Sequence, residues 1–298
     1  MLTLFATPKP FQGHTAIIQR NAITSWTALR PRPEIILFGD EPGTAEVCQE
    51  LGLVHVPALA CAEHGAPLLG DLLDKAQQLA RHDFLCYVNA DIILLGDFMG
   101  AVERVASWRD RFLMVGRRTN VDLDEPAIYE SPGQETRLRA LVLQQNPPVN
   151  FRGIDYFVFP HGLFAAFPRF AIGRPWWDNW VLWKVRKSGV PLVDASAVVL
   201  AVHQNHDYSL PEGAQDVMQR EEAKQNRKLA GHGFCTIADA TYRLTSAGIA
   251  YNFSHLLVPI VLPWWWAFLK ITGPIRYPLG LRRGKIASVL GRIKLLAS

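Results

Sequence analysis

Several signatures are missing from this chain, and each absence removes a class of protein. No G-x-G-x-x-G follows the first apolar run, which argues against a dinucleotide cofactor, and no G-x-x-x-x-G-K-[ST] occurs, which excludes a P-loop. There is no G-x-S-x-G, hence no nucleophile elbow. The four cysteines, Cys48, Cys61, Cys86 and Cys235, form no C-x-x-C pair and have no histidine at zinc-finger spacing. Neither a disulfide framework nor a structural zinc site is indicated, and a reducing compartment fits. No apolar run reaches the ~20 residues that a spanning helix needs. The opening "MLTLFATPKPF" lacks the basic flank of a signal peptide and reads as a first strand. Low-complexity tracts and fixed-period repeats are absent too, and with 49% apolar and 19% charged residues the chain has the composition of a globular protein.

What is present is a regular alternation. Strand candidates at 2–6, 34–38, 54–56, 84–88 and 112–116 are separated by helical patterns at about 15–29, 44–51, 68–81 and 98–107. Strand and helix in turn predict an α/β fold with a mostly parallel central sheet and helices on both faces. Such sheets bind ligands beyond the carboxyl ends of their strands. The polar residues directly after the apolar runs are therefore the candidates: Thr7, Asp40 with Glu41, Asn89 with Asp91, and Arg117 with Arg118. Residues 117–150, rich in acids and prolines, read as a long surface excursion. Two short strands are expected in 190–209, and a loop entering a helix over 171–189 and a helix over 212–229 close a body of 1–230 whose halves are 1–116 and 117–230.

In "CYVNADIILL" the apolar run breaks at Asn89 and Asp91 and then resumes. A carboxylate at that place can hold a divalent cation against a nucleoside diphosphate, or simply close a turn. "GRPWWDNW" places Asp178 at a helix start, where backbone N–H groups steady a carboxylate, with Trp176, Trp177 and Trp180 around it. Three indoles could form a wall that stacks on sugar faces and keeps water from the acid; an ordinary cap among core tryptophans is the plainer alternative. "HQNHDYS" brings His203 and His206 to a strand end, a plausible metal or phosphate site. Asp155 interrupts another apolar run, as a satisfied turn acid or a contact to an acceptor hydroxyl. Arg117, Arg118 and Arg152 are cations available to a diphosphate.

The order of these features resembles the GT-A fold of nucleotide-sugar-dependent glycosyltransferases, nearest the family 2-like branch, over roughly residues 1–230. The resemblance implies a Rossmann-like domain that moves a sugar from a nucleoside-diphosphate donor to a glycan or lipid-linked acceptor, with inversion. It implies Asp40 on the base, with Thr7, Asn89 and Asp91 at the donor. It also implies Mn²⁺ or Mg²⁺ on Asp91 with His203 or His206, and Asp178 as the base, with Asp155, Trp176, Trp177 and Trp180 toward the acceptor. Asn89 departs from the D-x-D pattern of that family. A sugar nucleotidyltransferase shares the sheet but carries a glycine-rich basic loop after the first strand, where this chain has "TPKPFQGH". A silent glycan-binding protein would need no cation.

Residues 231–298 form the remaining segment. "LLVPIVLPWWWAFL" (256–269) has no polar side chain, and seven lysines or arginines with no acid lie in 270–298, so the body is slightly acidic and the tail basic. Tryptophans beside an apolar and basic helical pattern suit the interface of an anionic membrane, which predicts a cytoplasmic protein peripheral on the inner face. A core-packing tail or a dimer contact is the alternative, and an oligomer stays open. Nucleic acid is not the expected partner, since the basic residues are not interleaved with stacking aromatics.

Overall fold

Short apolar runs in which alternate residues serve opposite faces can only be buried if helices cover both sides of the sheet, and the chain is built that way. The computed structural model describes residues 1–123, 125–127, 133–147, 153–205 and 220–253. Its elements are β1 (Leu2–Ala6), α1 (Gly13–Ala28), β2 (Glu34–Phe38), α2 (Thr44–Leu51), β3 (Val54–Val56), α3 (Leu69–Leu79), β4 (Phe84–Val88), β5 (Ile92–Ile93) and α4 (Asp97–Trp108). There follow β6 (Leu113–Val121), α5 (Gln134–Gln145), β7 (Ile154–Pro160), α6 (Trp177–Lys187), β8 (Leu192–Asp194), β9 (Ala201–Gln204) and α7 (Glu221–Ala230). A 3₁₀ turn (Ile237–Asp239), β10 (Tyr242–Thr245) and β11 (Gly248–Tyr251) complete the series.

The strand order is β11-β10-β8-β6-β7-β4-β1-β2-β3, with β5 and β9 forming a side ladder on β6. β1, β2, β3 and β4 are parallel, whereas β7 runs antiparallel between β4 and β6. The start of β7 thus lies beside the end of β4, with Val88 opposite Tyr156. Alternation delivers the two cores. Leu2, Leu4, Ala6, Leu37, Cys86 and Val88 face α1, α2 and α4, while Phe5, Ile36, Phe38, Leu85 and Tyr87 face α3 and α6.

Three expectations are corrected. β6 runs on to Val121, past the point at which an excursion was expected, and α5 lies inside that excursion. The polar run Arg117–Asn120 hides the strand because it is only half-buried, and α5 hides because Leu138 is its one described buried side chain. The sheet also continues beyond residue 230: β10 pairs parallel with β8 and places Leu244 in the core. The body therefore reaches at least Asn252, a buried residue whose N–H donates to the Thr241 carbonyl at 2.9 Å. Residues 256–298 lie outside the described residues, and no helix among those described is long and apolar enough to cross a membrane.

The β6–β7 register shifts between Val115 and Arg117, at Gly116. A Cβ there would lie 2.0 Å from the Tyr156 hydroxyl and 2.7 Å from its Cζ. Gly116→Ala is expected to lower stability by about 1–3 kcal/mol, read from the urea midpoint, and Tyr156→Phe in the same chain should recover part of it by removing the nearer atom.

Candidate active site

The parallel strands β1, β2 and β4 end along one edge, and each exit carries a polar residue. Thr7 is half-buried and its hydroxyl bonds to that of Tyr87; Asp40 is exposed, beyond Gly39, whose carbonyl contacts His55 Nε2 at 2.9 Å. The turn after β4 closes through Ile92 N–H to the Asn89 carbonyl at 3.1 Å. The apolar residues behind it bury the chain again: Ile92 and Leu94 enter one core, Ile93 and Leu95 a smaller one with Val121, Leu138 and Val202.

Side chains from α1 and β9 grip this turn. Trp26 Nε1 donates to the Ile92 carbonyl at 2.8 Å, and Ser25 Oγ accepts from Leu94 N–H at 3.1 Å. The fully buried Gln204 donates to the Ile18 and Asp91 carbonyls and accepts from Asn21. Asn21 and Gln204 are absent from the sequence reading. Their signal was available, since each is a polar residue at a position whose periodicity points into the core. The register of β5 and β9 then pairs Ile92 with His203, and His203 Nε2 lies 3.5 Å from Asp91 Oδ2. His203 is 1% exposed and the Asp91 side chain 22%.

Beside that pair runs a chain of hydrogen bonds. Thr7 donates to Tyr87, Tyr87 to Asn89 Oδ1 at 2.8 Å, and Asn89 Nδ2 to Asp155 Oδ1 at 2.7 Å. Arg118 Nη1 donates to both Asp155 oxygens at 3.3 and 3.2 Å. Burial raises the Asp155 carboxyl, Arg118 opposes it most strongly, Asp91 adds to the rise and His203 lowers it. Asn89, expected at the donor, spends its amide on Tyr87 and Asp155, which explains the asparagine: a carboxylate could not donate to Asp155. Asn89→Asp is expected to lower the melting temperature more at pH 8 than at pH 5, because above its titration range it sets two carboxylates against each other; equal losses would discount the repulsion.

Asp178 sits in the first turn of α6. Burial raises its carboxyl to about 6, the N–H groups of Asn179 and of Asp178 itself pull it down, and Asp155 pushes it up. The two acids therefore belong to one electrostatic cluster. Trp176, immediately before α6, has φ +89° and ψ −33°, a left-handed backbone that costs a bulky residue about 1–3 kcal/mol. The expected wall of three indoles is corrected. Trp177 packs edge-on to Tyr87 at 5.5 Å and Trp180 against Phe167 and Phe170, both inside the core. Period 3.6 turns those two inward and leaves only Trp176 half-exposed, beside Phe234 and beneath the Arg227 guanidinium.

Arg117 N–H bonds to Ser196 Oγ at 2.8 Å. His161 lies at the opposite edge, where its Nε2 meets the Gln77 carbonyl at 2.6 Å. Arg152 and His206 lie outside the described residues. Among the described residues no group of three His, Cys, Asp or Glu side chains is placed to hold a metal. Two donors, a carboxylate and an imidazole, do converge at Asp91 and His203. That set fits a divalent cation which takes its other ligands from phosphate and water.

The fold and site are thus those of an α/β protein with a mostly parallel sheet and an acidic, partly buried cluster at its strand-end edge. No protein-family model matches the chain, and no curated protein does. Among solved structures it is similar to S. aureus TarS 1-349 in complex with UDP-GlcNAc (TM-score 0.47, 10% identity, 78% of this chain and 70% of that one). It is also similar to glucosyl-3-phosphoglycerate synthase from Mycobacterium tuberculosis in complex with Mn²⁺, UDP and phosphoglyceric acid (0.46, 14%, 78% of each). A further match to TarS 1-349 (0.33, 11%) covers 42% of this chain and 37% of that one, so the chain spans little over a third of that relative's length.

Proposed function

We propose that the chain is a GT-A glycosyltransferase which moves a sugar from a nucleoside-diphosphate donor to a hydroxyl of a glycan or lipid-linked acceptor, with inversion. The observation that carries this reading is the convergence at one strand-end edge of the Asp91–His203 pair, the Asp155–Arg118–Asn89 unit and a third acid, the half-buried Asp178. Thr7 and Asp40, at the exits of β1 and β2, would contact the donor's nucleoside. Asp91 and His203 would hold Mn²⁺ or Mg²⁺, which when bound offsets charge on the diphosphate leaving group. Arg118 and Asn89 fix Asp155 and so keep the floor of the site rigid. Asp178, raised toward neutrality by burial, is suited to take the acceptor proton. Trp176 is the indole left to meet an acceptor. A protein supplied with UDP-glucose, UDP-N-acetylglucosamine and GDP-mannose in turn, with Mn²⁺, should release nucleoside diphosphate from one of them; no release and no binding of any donor would end the reading.

The sequence of 256–298 supports a place on an anionic membrane surface, where a lipid-linked acceptor is found. The full chain should sediment with phosphatidylglycerol vesicles and lose that binding when ended at Phe253 or when salt is raised; equal binding to phosphatidylcholine vesicles would remove the electrostatic part.

A further inference from the structure

α7 buries little apolar surface beyond two alanines and the half-buried Leu229, which packs against the second core. Its buried residues are Glu222, Ala223, Asn226 and Ala230, two alanines and two polar side chains. Both polar ones reach the same loop, the stretch 171–176 that leads into α6. Asn226, 1% exposed, accepts from Ala171 N–H at 2.8 Å and donates to the carbonyls of Ala171 and Pro175 at 2.9 and 3.1 Å. Glu222, 6% exposed, takes Arg174 Nε and Nη2, each at 2.7 Å. From the exposed side of α7 the Arg227 guanidinium lies 5.5 Å from the Trp176 ring centre. On the loop's other side Leu69 N–H and the Pro67 carbonyl bond to Phe170 and Ile172. The strained residue at the end of this loop, Trp176, passes its carbonyl to Trp180 N–H at 3.0 Å and so begins α6.

We propose that α7 is a positioning element: Glu222, Asn226 and Arg227 hold the 171–176 loop so that Trp176 keeps its left-handed backbone and α6 begins with Asp178 shielded from water. A helix that contributes little apolar burial yet spends three side chains on one loop sets a geometry more than it adds stability. The consequence for catalysis rests on the reading of Asp178 as the base; the positioning itself does not. The groups acting on Asp178 are Asp155 from β7 and the N–H groups of Asn179 and Asp178. Burial is the largest influence, so loosening the loop should bring the carboxyl back toward its ordinary range.

A thermodynamic cycle without substrate tests this. Melting temperatures of the wild type, Asp178→Asn, Asn226→Ala and the double variant are measured at pH 4.5 and 7.5. Asp178→Asn should raise the melting temperature at pH 7.5 and raise it by roughly a third as much at pH 4.5, which still lies above the unfolded value. In the Asn226→Ala background the gain at pH 7.5 should fall below half. An undiminished gain overturns the proposal. If Asn226→Ala does not fold, Glu222→Gln, which keeps the shape of the side chain, takes its place in the same cycle. With nucleotide release as the readout, Asn226→Ala should lower kcat with KM unchanged and move the acid limb of the profile below its wild-type position. Its penalty should shrink in a Trp176→Gly chain, since glycine adopts the left-handed backbone unaided. A KM effect with kcat unchanged, or the same penalty in both chains, counts against positioning. Should Asp178→Asn itself release nucleotide at the wild-type rate, the base reading fails while the melting cycle still judges α7.

Discussion

Replacing Asp178 by asparagine should lower nucleotide release and sugar transfer by about 10²–10⁴-fold, the usual contribution of a positioned general base, while making the protein more stable at neutral pH. The two effects have one cause. Burial raises the carboxyl from its ordinary 3.8 to about 6, so the folded protein prefers the protonated form more than the unfolded chain does. That preference favours folding fully below the unfolded value, near 3.8, and is lost as pH rises through about 6. Above pH 6 the folded state carries a charge it solvates poorly, at a cost of up to about 3 kcal/mol, less whatever water reaches a half-buried side chain. Asparagine removes that charge without changing the shape. The melting temperature of Asp178→Asn should therefore exceed that of the wild type above pH 6 and match it near pH 4. Activity has the opposite requirement, since a base must be deprotonated, and the wild-type rate should fall about tenfold per pH unit below about 6. A variant that keeps full activity and gains no stability at pH 7.5 would remove both the base and the buried charge from the account.

The parts of this site that follow uninterrupted apolar runs were open to a reader of the sequence. Asp40 and Asp91 stand directly after strands whose alternation is unbroken, and the edge they occupy follows from parallel strand order. Asp155 was visible as an intrusion in an apolar run, but its partners were not. Arg118 lies 37 residues away on a strand whose polar half looks like a loop, and only the antiparallel course of β7 brings the two together. The tryptophans of α6 misled for a different reason. An indole is apolar with a polar tip, so a cluster of them fits a sugar platform and a core equally well. Which face of α6 turns inward depends on where the helix begins, and Trp176 sets that with a backbone conformation that composition does not reveal. The α7 contacts were hidden because their signal is polar side chains on a mostly charged helix, which reads as a solvated surface.

Asp91→Ala is the second large expected loss, on the order of 10³-fold in nucleotide release, the several kcal/mol that charge stabilisation at a diphosphate supplies. The variant should still fold. The turn is held by its backbone, through Ile92 N–H to the Asn89 carbonyl and Gln204 to the Asp91 carbonyl, and the lost side chain is 22% exposed. What the substitution removes is one of the two donors that converge there among the described residues, leaving the other, His203, 1% exposed. Mn²⁺ together with UDP should raise the melting temperature of the wild type by mass action on the folded state, and that rise should vanish in Asp91→Ala and shrink in His203→Ala. Asp91→Asn separates shape from charge: it keeps an acceptor oxygen at the same place, so a full loss there as well assigns the effect to the carboxylate charge. The opposite outcome is equally informative, because a Mn²⁺-dependent shift that survives in both variants would move the cation away from the strand-end pair. The same pair also sets the electrostatics of its neighbours. Asp91 raises and His203 lowers the buried Asp155, and Asp155 in turn raises Asp178. Removing the Asp91 charge should therefore ease Asp155 downward, toward its ordinary range. Asp91 and Asp178 are thus linked electrostatically through Asp155, and if they serve donor and base as proposed, a change in the acid limb of any residual activity in Asp91→Ala would be the sign of that link.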